Sequence, residues 1–276
     1  DMGSKTIGVA LSDPLGWTAQ GITTIRRTKR EQDLEEIHKI CNEYGVETIV
    51  VGLPKNMNGT IGEAGEKALE FAELLKEKFA NCLQRYDNHV KMGGYKTFLD
   101  GSPQGRTAWM RTPYLGSEKD YYGYGVQKDE EIESKLEKAL REDMQILVHC
   151  NGDAASQQFI DQYRIAKERI HSNNNIRPIM IHAQLLAEDQ LGDLKALGIM
   201  PSFFVSHVYY WGDIHIKNYG MERASKISLL KSAEDKGITF TLHQDAPVIE
   251  PNMLETIWIA VTRTTKNGVS LGPEER

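Results

Sequence analysis

Apolar and polar residues alternate with a period of two over Lys5–Ser12 (KTIGVALS) and again over Trp17–Ile25. Pro14 and Gly16 stand between them, which predicts a strand and its hairpin partner. The period then lengthens. Over Glu31–Tyr44 the apolar residues Leu34, Ile37, Ile40 and Cys41 fall on one helical stripe, and Gly45 is suited to closing that helix. Val46–Leu53 (VETIVVGL) is almost continuously apolar, the pattern of a central parallel strand. A polar, glycine-rich loop over Pro54–Gly62 leads into a second helix, Glu63–Phe79, with Ala68, Phe71, Ala72 and Leu75 facing inward.

After Phe79 the pattern changes. Residues 80–89 begin as a helix and lose their period, without the Pro/Gly/Ser-rich linker in which domain boundaries normally fall. Beyond them five apolar runs read as strands: Tyr95–Leu99, Gln145–Cys150, Arg177–His182, Ile199–Val205 and Ile238–His243. Helical stretches alternate with them at Lys128–Asp143, Ala154–His171, Ala187–Leu197, Met221–Lys236 and Met253–Thr265. Asp153 reads as an N-cap, and Gly198 and Gly237 as helix ends. This alternation predicts βα units around a parallel sheet.

Four of these runs carry a potential metal ligand, three of them close to the C-terminal end. Lys96 lies in YKTFL, His149 in ILVHC, His182 in PIMIH, and Asp245 follows ITFTLHQ. Ligands delivered by successive strands in this way form the pattern of a (β/α)-barrel metalloenzyme. Imidazoles at strand ends suit zinc or another divalent ion. Asp245 could hold a metal and take a proton from an attacking water. A lysine ammonium buried without a partner is costly. Carboxylation of Lys96 to a carbamate would turn it into an anionic ligand bridging two metals. Plainer readings stand beside these. A strand histidine is more often core or surface, Asp245 before Ala246–Pro247 could start a turn, and Lys96 could face outward.

Composition narrows the classes. The 276 residues are 40% hydrophobic and 26% charged, ordinary for a globular protein, with a net charge of −6. That balance argues against broad nucleic-acid binding driven by counterion release. The three cysteines, Cys41, Cys82 and Cys150, form no CxxC pair, so a reducing cytoplasm is the simplest reading. No apolar run reaches transmembrane length and no signal peptide is read, so no membrane partner is expected. The opening at Asp1 suggests a trimmed piece. The sequence leaves the oligomeric state undefined.

The blocks D-M-G-S-K-T-I-G-V-A-L-S-D and V-V-G-L-P-K-N-M-N-G-T-I-G resemble the Holliday-junction-resolvase-like, pre-ribosomal-RNA nuclease family. The resemblance covers residues 1–79 and implies a ribonuclease H fold. It places Asp1 at the family's first catalytic carboxylate, where it would hold a magnesium ion that activates water against a phosphodiester. The family's later acidic motif and last helix do not follow Phe79.

From about Tyr86 to Arg276 the chain resembles the amidohydrolase superfamily, specifically the amidohydrolase family 3 group. The blocks are YKTFLDGSPQGRTAW, LVHCNGDAA, MIHAQ, PSFFVSHVYYWGD and LHQDAPVIEPNMLE. The resemblance implies that Lys96 is the metal-bridging lysine, His149 and His182 are histidine ligands, and Asp245 is the metal-ligating general base. His207, Trp211 and Asp213 fall in the family's substrate-side loop, and Arg106 is a further substrate-loop candidate. The family opens with a His-x-His pair on its first strand, and no such pair precedes Lys96.

The expected fold is therefore α/β: a partial ribonuclease H-like segment over residues 1–80, then a partial (β/α) TIM-barrel segment over residues 81–276. Two patterns abutting in this way suggest a chimera, whether by gene fusion, engineered join or assembly artefact. The expected function is a metal-dependent amidohydrolase-type hydrolase using zinc, with two ions if Lys96 is carboxylated. Its partner would be a small amide-like substrate. A nuclease acting on nucleic acid and a catalytically inactive fusion are the alternatives.

Overall fold

The larger sheet is parallel at every pairing. Its strands are β3 (Tyr95–Phe98), β4 (Ile146–Cys150), β5 (Ile179–His182), β6 (Met200–Phe203) and β7 (Thr241–Leu242), joined in that spatial order. Sequential order and parallel pairing together mean that each connection crosses back over the sheet, as βα units do. A computed structural model describes residue 3, residues 5–12, 19–46, 49–52, 54, 61–79, 92–117 and 120–276. Contacts divide the chain into two compact units, Asp1–Gly93 and Gly94–Arg276.

In the second unit the register sets the faces. Phe98 lies beside His149, His149 beside Ile181, Ile181 beside Ser202, and Ser202 beside Thr241. Alternate residues of each strand point to opposite faces. On one face Val148 and Met180 are wholly buried, together with Phe203 at the end of β6. They pack in a core with Ile132, Leu136 and Leu140 of α3 (Asp129–Arg141) and Phe159, Ile160 and Tyr163 of α4 (Asp153–Arg169). Leu191 and Leu194 of α5 (Leu191–Leu197) complete it. The other face carries Lys96, Phe98, Leu147, His149, Ile179 and Ile181, none of them fully buried, with Phe98 39% exposed. The sheet is thus covered by helices on one face and open on the face that a closed barrel would turn inward. Both edge strands, β3 and β7, lack a second partner among the described residues.

This corrects one premise of the sequence reading. Lys96 lies in a strand, but on the open face, where the residue as a whole is exposed. Its ammonium is still partly desolvated there.

Helix ends follow local chemistry. In α3 the first turn holds Asp129, Glu130 and Glu131 and the last turn Lys138 and Arg141, each sign favourable for the helix dipole. The Lys128 N–H donates to Glu131 Oε2 (2.9 Å). The N-cap of α4 is Gly152 rather than Asp153, because Asp153 Oδ1 accepts instead from the Arg111 N–H (2.8 Å). α5 closes at Gly198 in the left-handed conformation.

The helix expected from Met221 starts much earlier: α6 spans His207–Ser225, with a break at Gly220, and α7 (Leu230–Asp235) follows. The buried stripe of α6 includes Val208, Gly212, His215 and Tyr219. Its spacing is helical, but glycine, histidine and tyrosine carry it, so hydrophobicity alone does not reveal it. The last helix, α8, spans Met253–Thr262.

The first unit pairs β1 (Thr6–Ser12) antiparallel to β2 (Ala19–Arg26) and adds α1 (Arg30–Tyr44) and α2 (Glu63–Lys78). Its core joins Ile7, Leu34, Ile37, Cys41, Phe71 and Leu75. The strand expected over Val46–Leu53 is not formed at residues 46 and 49–52, where Val50 is 86% exposed. A central strand needs a neighbour on each side, and β1 pairs with β2 alone among the described residues. Val46, Ile49 and Val51 instead line an apolar cleft of about 450 Å³ against Ile7, Ile40 and Phe71.

Burial predicts a contrast in stability within the second unit. Leu136, wholly buried in α3, should cost about 2–5 kcal/mol when changed to alanine. Leu254, 80% exposed on α8, should cost no more than about 0.5 kcal/mol. Urea unfolding of the Leu136→Ala and Leu254→Ala chains measures both.

Candidate metal centre

His149, His182 and Asp245 lie close to or beyond the C-terminal ends of the parallel strands, Lys96 lies within β3, and the loops after β3 and β4 are fastened together at that rim. Asp100, just after β3, is buried. Its Oδ1 accepts from the Asn151 N–H (2.9 Å), and its Oδ2 from the Gly152 N–H (2.7 Å) and the Trp109 N–H (3.0 Å). Burial pushes the Asp100 carboxyl up to about 7, against the pull of these three N–H donors. Gly152 permits the approach: a Cβ there would lie 1.9 Å from the Trp109 carbonyl oxygen.

His149 occupies β4 within this frame. Asn151 Nδ2 reaches its Nε2 at 2.9 Å and also donates to the Gly101 carbonyl (2.8 Å). Burial, helped by the Lys96 charge and opposed by the Gly101 carbonyl, lowers the His149 pKa to about 4. The rings of His149 and His182 meet edge to face with centroids 4.5 Å apart.

His182 ends β5 in the left-handed region (φ 74°), and Ala183 follows there too (φ 46°). Non-glycine residues rarely hold this conformation unless their surroundings enforce it. Here Ala183 N–H donates to the Cys150 carbonyl (2.9 Å) and Leu185 N–H to the Asn151 carbonyl (2.8 Å), which holds the turn against β4. Burial, then the neighbouring histidines, drive the His182 pKa far down.

His243 completes the cluster, and the sequence reading missed it as a site residue. Its Nε2 lies 3.0 Å from His182 Nδ1, and its Nδ1 lies 2.9 Å from Ser202 Oγ, which Thr241 Oγ1 also reaches at 2.8 Å. Burial holds the His243 pKa at about 4. Asp245 follows two residues later, exposed and also in the left-handed region (φ 51°). Partial desolvation raises its pKa while the Lys96 charge opposes the rise. A signal for His243 was present: it stands two residues before Asp245 at the end of an apolar run, and positions two apart on an extended chain share a face.

His182, His243 and Asp245 each offer a ligand atom, and the three atoms lie within 4.8 Å of one another. Two imidazoles kept neutral by burial and one carboxylate suit a divalent cation. Lys96 couples electrostatically to Asp245 and to all three histidines. Desolvation pushes its ammonium pKa down, with Asp245 and Cys150 opposing.

The substrate-side candidates divide. His207 is buried beside Trp211, with ring centroids 4.5 Å apart, and the Phe204 ring lies 4.8 Å from His207 and 5.3 Å from His243. Asp213 Oδ1 accepts from Thr265 Oγ1 (2.9 Å). Arg106 is committed to the fold: Nε donates to Asn218 Oδ1 (2.9 Å) and Nη2 to the Leu115 carbonyl (3.0 Å), tying its loop to α6. Asp1 lies outside the described residues.

A single family profile, that of the amidohydrolase family, matches residues 10–276. Two solved structures share the fold, each an uncharacterized metal-dependent hydrolase. The one from Pyrococcus horikoshii OT3 has a TM-score of 0.58 at 22% identity, over 90% of this chain and 55% of that one. The one from Pyrococcus furiosus has a TM-score of 0.58 at 22% identity, over 94% and 57%. The chain thus spans little more than half the length of either. A different likeness covers 101 residues. There the chain is 56% identical to a Clostridium botulinum (strain Alaska E43 / Type E3) protein named "Putative pre-16S rRNA nuclease", over 36% of this chain and 74% of that protein. A Clostridium novyi (strain NT) protein of the same name is 57% identical over 90 residues. The chain belongs to the amidohydrolase family, and over about a third of its length it belongs also with the pre-16S rRNA nucleases. It is chimera-like in this sense: two family likenesses share one polypeptide.

The histidine cluster predicts an acid-side weakness. Folded-state pKa values near 4 for His149 and His243 lie below the ordinary 6.5, so the unfolded chain binds more protons between them. Stability of the metal-free chain should be fully present above about pH 6.5 and fall as the pH drops towards about 4. Urea midpoints measured across that window should show the loss, and a His243→Gln chain should show a shallower one.

Proposed function

We propose that the second unit carries the metal centre of an amidohydrolase-type hydrolase acting on a C–N, amide-like bond of a small molecule. The observation that carries this reading is the convergence of His182, His243 and Asp245 just beyond the ends of parallel strands, with the His149 ring against His182. These residues would hold a divalent cation, with zinc the ion best suited to two imidazoles and a carboxylate. Such a cation would polarise the scissile carbonyl and acidify a water.

The protein's own groups then have distinct tasks. Asp245, exposed and with its pKa raised by desolvation, is suited to take a proton from the attacking water and return it to the leaving nitrogen. Ser202 orients His243 from behind, as outer partners of metal-binding imidazoles do. Lys96, its ammonium favoured less than in water, can supply the neutral amine that takes up carbon dioxide, losing a proton to become a carbamate ligand. His207, Trp211 and Asp213 would bound the substrate side. The family's first-strand His-x-His pair has no counterpart before Lys96, so turnover by this chain should be weak beside a complete family member. The three separated cysteines fit a cytoplasmic setting.

The identity to the pre-16S rRNA nucleases supports a second reading, in which residues 1–80 form a ribonuclease H-like segment and residues 81–276 the barrel segment. Asp1 would then serve a magnesium-dependent cleavage of structured nucleic acid. A fusion that retains both folds and catalyses neither reaction is the remaining alternative.

Purified chain should take up zinc stoichiometrically, and both His182→Ala and His243→Ala should abolish that uptake by elemental analysis. Zinc content unchanged in both variants would remove the metal-centre reading. For the nuclease reading, magnesium-dependent cleavage of a 16S rRNA precursor should be present and should vanish in Asp1→Asn. Equal cleavage by the two chains, or none by either, would exclude Asp1 as a catalytic carboxylate.

A further inference from the structure

Beside the metal cluster lies a second pair of histidines, both on α6. His207 is 4% exposed and His215 is wholly buried. Their rings stack at 5.3 Å with an interplanar angle of 14°, and His207 Nδ1 lies 3.0 Å from His215 Nε2. One of these nitrogens must donate and the other accept, because a neutral imidazole carries a single N–H.

The far side of His215 decides which. Its Nδ1 is buried and has no hydrogen-bond partner among the described residues. If His207 Nδ1 were the donor, the His215 proton would sit on that Nδ1, as a buried N–H with no acceptor. If His215 Nε2 is the donor, Nδ1 is a bare acceptor. Orphaned buried N–H groups are the rarer of the two in folded proteins. The network therefore puts the His215 proton on Nε2, where it donates to His207 Nδ1. The His207 proton is then forced onto Nε2, which makes no hydrogen bond among the described residues but, unlike His215 Nδ1, is not a fully buried atom, so its N–H is not sealed from an acceptor.

We propose that His215 is a positioning residue of the candidate centre, fixing His207 as the Nε2–H tautomer so that it donates a hydrogen bond to the carbonyl oxygen of the substrate. The assignment rests on the hydrolase reading for its substrate, but not for its tautomer. Burial keeps both rings neutral: it drives the His207 pKa far below its ordinary value and holds His215 at about 3. A neutral imidazole with one fixed N–H is a hydrogen-bond donor of constant direction, which a freely exchanging tautomer is not. Trp211 packs against the His207 ring, and Phe204 lies between His207 and His243. These ring contacts set His207 beside the metal cluster.

The test reads the protons directly. The full chain, labelled with 15N-histidine and kept free of metal and substrate at neutral pH, is examined by long-range proton–nitrogen correlation. His207 resonances are assigned by their loss in His207→Gln. The wild-type chain should show His207 with a bare Nδ1 and a protonated Nε2. His215→Leu, which removes the donor, should leave His207 exchanging between both tautomers. A wild-type His207 protonated on Nδ1, or already a mixture, overturns the proposal. So does an unchanged Nε2–H tautomer in a folded His215→Leu chain. Where His215→Leu does not fold, the wild-type spectrum decides alone. An intact tautomer in a chain that neither binds zinc nor hydrolyses amides would overturn the hydrolase reading and the role towards its substrate, and leave only the tautomer assignment standing.

Discussion

The parallel register of β3 to β7 is the constraint on which the site depends. Parallel pairing aligns all C-terminal strand ends along one rim, and the loops that follow must emerge side by side. Phe98, His149, Ile181, Ser202 and Thr241 form one row across the sheet. Slipping β3 or β4 by one residue would send Lys96 or His149 to the helix-covered face. Residues as distant in sequence as Lys96 and Asp245 become electrostatic neighbours because of this row.

What sets the character of the site is the difference between the two faces. Helices dry one face, where Val148, Met180 and Phe203 are wholly buried. The opposite face keeps Lys96 in reach of solvent and leaves His149 only partly dry, as His243 also is. Groups at such a boundary retain lone pairs and access together. Burial disfavours the charged imidazolium of His149 and His243, while the open face leaves Lys96 within reach of solvent. The same arrangement explains why the site's framework is polar. Asp100, Asn151 and Ser202 hold loops and rings with hydrogen bonds in place of the side chains that would fill a closed barrel.

Much of this was legible in the sequence. The alternation of strands and helices, the parallel sheet and the strand-end placement of His149 and His182 follow from apolar runs and their breakers. The helix α6 was not, since Gly212, His215 and Tyr219 share its buried stripe and do not read as an apolar face. Val46–Leu53 failed in the opposite sense. Its composition suits a buried strand, but strand formation needs a partner edge, which composition does not reveal. His243 was visible only as part of an apolar run. Its role depends on Ser202 and His182, which lie 41 and 61 residues away in the chain.

By itself the sequence determined the periodicities, and through them most of the elements and the parallel character of the larger sheet. It also determined the motif blocks that carry two family likenesses in one chain. Tertiary structure alone decided which side chains share a space. It set Lys96 on an open face, turned His182 through a left-handed corner towards His243, and closed His207 against His215. The reason is physical: periodicity is a local property of consecutive residues. Proton positions, ligand geometry and desolvation belong to groups brought together by packing, and no local pattern records them.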